Sequence, residues 1–200
     1  MSAVRIGVVA VQGNVSEHVT AIERAATATG HEAEVIEIRD SGVVPDCDAI
    51  ALPGGESTTI SQLLAREGID EELVAHAEAD KPILATCAGL IVASRDANDD
   101  RVETLDILDI AVDRNAFGRQ VDSFEAGLDV QGLDDPFHAV FIRAPAVADI
   151  GPDVDVLATW DDRPVAVREG PVLATAFHPE LTDDHRIHRL ALFDRLAAEA

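Results

Sequence analysis

The sequence predicts an α/β protein with a three-layer architecture, in which helices flank an open, mostly parallel sheet. In the first half, short apolar runs alternate with helical segments, and such alternation is typical of parallel strands joined by right-handed crossovers. In the second half, strand-like runs follow one another with little helix between them, which predicts antiparallel additions to the sheet. A length of 200 residues suits one compact core, so residues 1–200 are expected to form a single domain.

The first half supplies four strands and four helices. The run 4–11 is apolar apart from Arg5 and rich in valine, as strands covered on both faces are, and we expect it at the centre of the sheet. A helix is expected at 16–29, with Ser16 as its N-cap and Gly30 as its stop. The remaining strands are predicted at 34–38, 48–52 and 82–86, and the remaining helices at 57–66, 70–79 and 88–94.

The second half is dominated by strands. Strand-like runs occupy 105–112, 123–130, 139–142, 154–159, 164–168 and 172–176. Glu169 and Gly170 are expected to form the hairpin turn between the last two of these runs. A helical stripe of apolar residues predicts a final helix at 184–198, and the charged segment 96–101 is expected to be a loop.

Composition and charge exclude several classes of function. The formal net charge is −23, and fourteen arginines and one lysine form no basic patch of the kind that binds nucleic acid. No apolar stretch approaches the roughly 20 residues that cross a bilayer, and the first residues enter a strand-like pattern instead of a signal peptide, so a cytoplasmic protein is expected. The acidic residues are spread along the chain, which indicates a surface adapted to high salt, where self-repulsion is screened.

The two cysteines are too few for a disulfide framework, so their contexts decide their roles. Cys87 lies in T-C-A-G-L, after an apolar strand and before a helix, with the small residues Ala85 and Gly89 as flanks. This pattern predicts a nucleophile elbow, where the helix N-terminus favours a thiolate and the N–H of Ala88 is placed to bind an oxyanion. A buried structural cysteine is the alternative, and the motif alone leaves both open. Cys47, in D-C-D-A-I, is interpreted as structural.

A histidine and a carboxylate follow another apolar strand. His178 and Glu180 lie in A-F-H-P-E-L, where Pro179 prevents helical continuation. A histidine can take a proton from a thiol and return it to a leaving amine, while a carboxylate holds the imidazole in the required tautomer. Six other histidines are present, and a surface or packed role is the alternative for each of the seven. For His185 and His188, three apart in the last helix, a solvated face is favoured over a metal site, and no metal site is predicted.

The turn P-G-G-E-S follows the third strand, whose carboxyl end should neighbour that of the fourth in an open sheet. Gly54 and Gly55 permit close approach of backbone N–H groups to a carbonyl oxygen, which would supply a second oxyanion donor beside Ala88. The alternative is a simple helix-entry turn, capped by one of the hydroxyl side chains at 57–59. No G-K-[ST] follows, so a phosphate-binding loop is excluded.

The chain resembles the class I, triad-type glutamine amidotransferases in three features: the cysteine at an elbow, the upstream glycine pair and the downstream H-P-E. The flavodoxin-like fold of that superfamily agrees with the predicted sheet. Within that superfamily the chain is similar to the PdxT family, the glutaminase subunits of pyridoxal 5'-phosphate synthase. The similarity spans nearly the whole chain and is carried by V-V-A-V-Q-G-N, L-P-G-G-E-S-T-T, T-C-A-G-L, R-N-A-F-G-R-Q-V-D-S-F-E, F-I-R-A-P and F-H-P-E-L. Ala85 departs from the family pattern, because a glycine is expected there.

The resemblance implies that Cys87 is the nucleophile, His178 the acid and base, and Glu180 the orienting carboxylate. It implies L-glutamine as the substrate, hydrolysed to L-glutamate and ammonia through a cysteine thioester, without a metal or an organic cofactor. The residues that it implies for glutamine binding are Gly55, Glu56, Ser57, Arg114, Ile142 and Arg143. The oxyanion hole is expected at Gly54, Gly55 and Ala88.

The resemblance also implies a partner, a PdxS-type TIM-barrel synthase subunit that uses the ammonia to make pyridoxal 5'-phosphate within a large hetero-oligomer. Gln12, Gly13 and Asn14, at the carboxyl end of the first strand, are expected to face that partner. Three alternatives are open: a glutaminase subunit of another biosynthetic amidotransferase, against which R-N-A-F-G-R-Q argues; a catalytically silent regulatory subunit, which the intact triad disfavours; and a cysteine hydrolase of other specificity. No nucleic-acid or membrane partner is expected.

Overall fold

The structure is a computed structural model that describes residues 3–114 and 123–198. Its strands are β1 (Val4–Val9), β2 (Ala33–Ile38), β3 (Ala49–Leu52), β4 (Ile83–Thr86), β5 (Ser94–Asp96), β6 (Leu108–Asp113), β7 (Ser123–Leu128), β8 (Phe137–Ile142), β9 (Ala146–Ile150), β10 (Asp155–Trp160), β11 (Arg163–Glu169) and β12 (Val172–Thr175). Its α-helices are α1 (Val15–Thr29), α2 (Ser57–Glu67), α3 (Asp70–Glu78), α4 (Ala88–Ala93), α5 (Arg186–His188) and α6 (Asp194–Ala198). Short 3-10 turns lie at Val44–Asp46 and Pro179–Leu181, and a π-helical turn at Arg189–Phe193 joins α5 to α6.

The main sheet has seven strands in the order β10-β11-β12-β4-β3-β1-β2. The five strands from β12 to β2 are parallel, and β11 and β10 extend the sheet as antiparallel strands at one edge. The predicted α/β class, with a mostly parallel sheet and antiparallel additions, is confirmed. β4 occupies the middle of the sheet instead of β1. β1 lies between β3 and the edge strand β2, because β2 pairs on one side of β1 and β3, β4 and the later strands lie on the other.

Helices cover both faces of the sheet and enclose two apolar clusters. On one face, Ile60 of α2, Leu73 of α3 and Leu90 of α4 pack against the strands. On the other face, Ile22 of α1 and Ile187 of α5 pack against the strands, together with the β7–β8 hairpin. Within the described residues, no helix combines the length and apolarity that a membrane span requires.

The predicted second-half elements are present, but several bounds differ and two strands were not predicted. β5 and β9 flank β6 in a separate three-stranded sheet. The helix expected at 88–94 ends at Ala93, and the strand expected at 105–112 begins at Leu108. The final helix begins at Arg186 instead of residue 184 and carries the π-helical turn. A hairpin turn joins β11 to β12 as expected, but it is formed by Gly170 and Pro171, because Glu169 is the last residue of β11 and pairs with Val172.

The helix caps agree only in part with those predicted from the sequence. Gly30 ends α1 in the left-handed conformation, as predicted. Ser16 does not cap α1, because the helix begins one residue earlier, after Asn14, whose side chain makes no cap bond. At α2 the cap is the carboxylate of Glu56, which accepts from the N–H groups of Thr58 and Thr59 at 3.1 and 2.7 Å, and not a hydroxyl side chain at 57–59.

Candidate active site

Cys87 sits on a sharp turn between the middle strand β4 and the buried helix α4. Its backbone has φ 50° and ψ −103°, a strained conformation for a residue with a side chain, and its N–H donates to the carbonyl of Thr175 at 2.8 Å. A Cβ on Gly89 would lie 2.2 Å from the carbonyl oxygen of Leu52, so glycine lets α4 approach β3 closely. The small residues around Cys87 therefore produce the predicted elbow, with the thiol at the carboxyl edge of the sheet.

His178 and Glu180 lie at the same edge, just after β12. The His178 N–H donates to the carbonyl of Val140 at 2.8 Å, which ties this segment to the β7–β8 hairpin. The ring Nδ1 lies 2.7 Å from Glu180 Oε1, so Nε2 is the nitrogen left to hydrogen-bond Cys87. Both side chains are almost completely buried. The structure thus brings together the three residues predicted as nucleophile, base and orienting carboxylate.

Hydrogen bonds outweigh burial in setting the pKa values of His178 and Glu180. Burial alone would lower the pKa of His178, but hydrogen bonds to Cys87 and Glu180 raise it to about 10. Burial alone would raise the pKa of Glu180, but the hydrogen bond from His178 and the proximity of His18 lower it to about 2. Near neutral pH the Glu180 carboxylate is therefore ionised and the His178 imidazole is protonated, with its Nδ1–H donating to Glu180 Oε1.

The glycine turn after β3 lies against this pair. A Cβ on Gly54 would lie 2.7 Å from His178 Cε1 and 3.2 Å from Cys87 Cβ, so a side chain there would displace His178 or Cys87. The N–H of Gly54 donates to Thr86 Oγ1 at 3.1 Å. The peptide bonds of the described residues are all trans, and the Gly54 carbonyl accepts from Asn14, so the N–H of Gly55 points away from Asn14.

The loop between β1 and α1 contacts both the glycine turn and the triad. Gln12 Oε1 accepts the N–H of Glu56 at 2.9 Å. Gly13, with φ 110°, leaves room for the Gly54 carbonyl, which accepts from the Asn14 N–H at 3.3 Å. The Asn14 Nδ2 group donates to Glu180 Oε1 at 3.0 Å. The three residues predicted to face a partner therefore also support the catalytic geometry.

A cavity of about 640 Å³ opens at the thiol. All six residues predicted to bind glutamine line it, together with Cys87, Ala88 and His178; the further residues of its wall are Gln12, Asn14, Ile91, Asp99 and Arg101. Ile91, Asp99 and Arg101 had not been singled out from the sequence. Asp99 and Arg101 belong to the segment 96–101, whose charge alone did not connect it with the site.

The three arginines of the cavity, Arg101, Arg114 and Arg143, differ in their surroundings. Arg114 ion-pairs with Asp99 and with Glu56, the latter at 3.4 Å, and the Arg101 and Arg114 guanidiniums hold the pKa of the Asp99 carboxyl well below its usual range. Arg143 follows β8 with φ 42°, is exposed, and has no ion-pair partner in the described part of the chain. Arg143 is therefore the freer cation. Residues 115–122 of the R-N-A-F-G-R-Q-V-D-S-F-E motif lie outside the described residues.

The sequence interpretation missed His18 and Thr86 and was wrong about His188. His188 is completely buried, instead of lying on a solvated helix face, and its Nε2 is 3.1 Å from His18 Nδ1. His18 Nε2 is in turn 3.0 Å from Thr86 Oγ1 and 3.5 Å from Glu180 Oε2. A signal was available in the sequence, because His18 lies four residues before Ile22 on the apolar stripe of α1.

The remaining candidate residues show no catalytic arrangement. Cys47 is buried, its thiol donates to the carbonyl of Val43 at 3.4 Å, and burial raises its pKa, which agrees with a structural role. Among residues 3–114 and 123–198, no group of three or more histidine, cysteine or acidic side chains is arranged to hold a metal ion. Ala85 is fully buried in β4, where its methyl group packs in the core.

Comparison with known proteins identifies the family. Residues 8–195 match the SNO glutamine amidotransferase family. The pyridoxal 5'-phosphate synthase subunit PdxT of Halobacterium salinarum is 71% identical over 94% of this chain and 93% of its own length. PdxT of Haloarcula marismortui is 68% identical over 95% of this chain and 96% of its own length. A solved crystal structure of a glutamine amidotransferase is 43% identical, with a TM-score of 0.84, and covers 96% of this chain and 98% of that one. The chain therefore belongs to the SNO glutamine amidotransferase family.

Proposed function

We propose that this chain is the glutaminase subunit of a pyridoxal 5'-phosphate synthase and that Cys87, His178 and Glu180 form its catalytic triad. The observation that carries the assignment of the triad is the 2.7 Å hydrogen bond between Glu180 and His178, with His178 and the Cys87 thiol together in the wall of a 640 Å³ cavity. Family membership and the PdxT relatives support the activity. The whole chain, residues 1–200, then acts as one glutaminase domain.

The chemistry proceeds by covalent catalysis. The Cys87 thiol gives its proton to His178, and Sγ attacks the side-chain amide carbon of glutamine to form a tetrahedral oxyanion. His178 gives a proton to the departing nitrogen, so the C–N bond breaks, ammonia leaves, and a glutamyl thioester remains. His178 then takes a proton from an attacking water, the C–S bond breaks, and glutamate is released as the thiol is restored. Glu180 keeps the imidazole in the required orientation throughout.

Two backbone N–H groups are assigned to the oxyanion. Ala88 begins α4, so its N–H is one of the unpaired donors at a helix N-terminus. The N–H of Gly55 is the second, supplied by the turn whose Gly54 abuts Cys87 and His178. The oxyanion hole is therefore built from two loops, and its geometry depends on the orientation of the peptide between Gly54 and Gly55.

The charges of the cavity suggest how glutamine is oriented. Arg143, which is exposed and free of an ion pair within the described residues, is assigned to the substrate carboxylate. Glu56 already accepts hydrogen bonds at the start of α2, and its pKa is lowered because those bonds outweigh the effect of its burial. It thus supplies a fixed negative charge for the substrate ammonium. The substitution Arg143→Gln should raise KM by a larger factor than it lowers kcat.

The partner is a PdxS-type TIM-barrel synthase subunit, in a large hetero-oligomer, that consumes the ammonia. We assign docking to the β1–α1 loop, because Gly13 is exposed while its neighbours bond to the glycine turn and to Glu180. Docking there would set the Gly54–Gly55 peptide and raise glutaminase activity. A cytoplasmic location fits this role, because Cys87 and Cys47 are free thiols and Cys87 must remain reduced.

The test is glutamate release from glutamine by the purified chain, with and without its cognate synthase, in salt-rich buffer. Cys87→Ala should abolish the release, and Cys47→Ala, which removes the other buried thiol, should retain it. A wild-type chain that releases no glutamate in a verified complex would contradict the proposed function. Equal wild-type turnover with and without the synthase would contradict only the docking step.

A further inference from the structure

A buried polar cluster lies behind the triad, on the side away from the glutamine cavity. It consists of His18 from α1, Thr86 from β4 and His188 from α5, and all three side chains are fully buried. His188 Nε2 lies 3.1 Å from His18 Nδ1, and His18 Nε2 lies 3.0 Å from Thr86 Oγ1. The cluster thus links the C-terminal helix to α1 and to the residue that precedes the nucleophile.

The cluster faces the half of Glu180 that the triad does not use. Glu180 Oε1 accepts from His178 and from Asn14, but Oε2 is buried and has no hydrogen bond in the described part of the chain. His18 Nε2 lies 3.5 Å from Oε2. A buried carboxylate oxygen without a donor is costly, and catalytic hydrogen bonds are often long before a complex forms.

The surroundings fix the tautomer of His18. If His18 Nε2 were bare, its lone pair would face the Oε2 of an ionised carboxylate, and the two would repel each other. If Nε2 carries the hydrogen, it donates to Thr86 Oγ1, and the positive N–H group lies 3.5 Å from the negative Oε2. His18 Nδ1 is then an acceptor, and His188 Nε2 donates to it. Therefore, His188 selects the tautomer that suits Glu180.

We propose that His18 is a positioning residue of the glutaminase reaction, which holds Glu180 ionised and oriented toward His178 by keeping its Nε2–H group, which donates to Thr86 Oγ1, 3.5 Å from Glu180 Oε2. This inference rests on the proposed function, because it assigns a role within that same triad. His18 is absent from the wall of the glutamine cavity, so it acts through Glu180 and not on the substrate. Thr86 extends the same cluster to the Gly54 N–H and hence to the oxyanion turn.

The charges around His18 keep it neutral. The titratable groups that face it are Glu180 and His178 beyond β12, His188 from α5, and Glu17 on α1 itself. Burial lowers the pKa of His18, and the proximity of His178 lowers it further, against the opposing effect of the two carboxylates. Burial and the proximity of His18 likewise lower the pKa of His188 to about 3. A neutral donor, unlike a cation, would not compete with His178 for the charge of Glu180.

The test compares His18→Leu with His18→Gln in the complex with the synthase. Leucine removes the donor, whereas the side-chain amide of glutamine reaches the position of Nε2 and restores an N–H there. His18→Leu should lower kcat for glutamate release by about tenfold or more, with KM changed less than about twofold. Without its donor the carboxylate holds the imidazole proton less well, so the alkaline limb of the pH–rate profile, set by His178 with its pKa of about 10, should move to lower pH by about one unit. His18→Gln should recover most of both losses.

His76→Leu is the matched control, because His76 is another buried helical histidine and lies on α3, outside the wall of the glutamine cavity. This control should leave the kcat and the profile unchanged. A His18→Leu complex with the wild-type kcat and pH limbs would overturn the inference. So would a loss that the glutamine variant does not recover and that leaves the pH limbs in place, since that result indicates packing alone. Absence of glutamate release from the wild-type complex would instead contradict the glutaminase assignment.

Discussion

A methyl group at Gly54 should inactivate the site while leaving the fold intact. The added Cβ of Gly54→Ala would lie 2.7 Å from His178 Cε1 and 3.2 Å from Cys87 Cβ. Carbon atoms in ordinary contact are about 3.5–4.0 Å apart, so the imidazole or the turn must move by about 1 Å. The ring cannot move freely, because Glu180 holds Nδ1 at 2.7 Å and the His178 N–H is bonded to Val140.

A displacement of about 1 Å in a catalytic group costs on the order of 100-fold in rate, or about 2.7 kcal/mol of transition-state stabilisation. The assay is kcat for glutamate release in the complex, with thermal unfolding of each variant as the measure of folding. Gly127→Ala is the matched control, because a Cβ on Gly127 meets nothing within 4 Å. A Gly54→Ala complex that works within about threefold of the wild-type rate would refute the steric reasoning.

Three further predictions concern stability. Gly89→Ala places a Cβ 2.2 Å from the carbonyl oxygen of Leu52, so α4 must move. The free energy of unfolding, measured by urea titration, should fall by about 1–3 kcal/mol. An unchanged urea midpoint would contradict the close approach of α4 to β3. The pKa of Glu180 is lowered from 4.5 to about 2, so its ionised form stabilises the fold above pH 4.5 and that contribution is lost as the pH falls toward 2. Glu180→Gln should therefore flatten the fall in unfolding free energy across this window, measured by denaturant titration at several pH values; a fall as steep as that of the wild type would argue against the shift. The net charge of −23 predicts that the melting temperature, followed by circular dichroism, falls when salt is withdrawn, and a constant value would count against high-salt adaptation.

Periodicity predicted the sheet but not its order. β4 is apolar apart from Thr86 and β1 is apolar apart from Arg5, as strands covered on two faces are, so their composition could not show which lies in the middle. The position depends on the crossovers, which place β2 on one side of β1 and β3 on the other. β5 and β9 were missed because the first has three residues and the second is buried only in its first half, so neither shows a usable alternation.

The triad could be predicted because each member follows a strand at the edge where parallel strands end. The supporting residues could not, because their roles depend on contacts between distant segments. Asn14 looked like part of a docking loop, and only the fold shows its side chain on Glu180, 166 positions away. His188 looked solvated because it lies among charged residues, whereas the π-helical turn that follows it belongs to a buried segment in contact with α1. Spacing along one helix does not reveal which other helix covers it.

The same contacts explain why a partner at the β1–α1 loop would act on catalysis. Asn14 bonds through its N–H to the Gly54 carbonyl and through its side chain to Glu180, so one residue connects the oxyanion turn to the orienting carboxylate. A partner can shift such an arrangement only by binding one of its forms more tightly than the other. A tenfold rise in the active form requires about 1.4 kcal/mol of differential binding, which is within the net worth of a single hydrogen bond. A docking contact that moves Gly13 and adds one hydrogen bond in the active form is therefore sufficient for activation. No rearrangement of the sheet is needed.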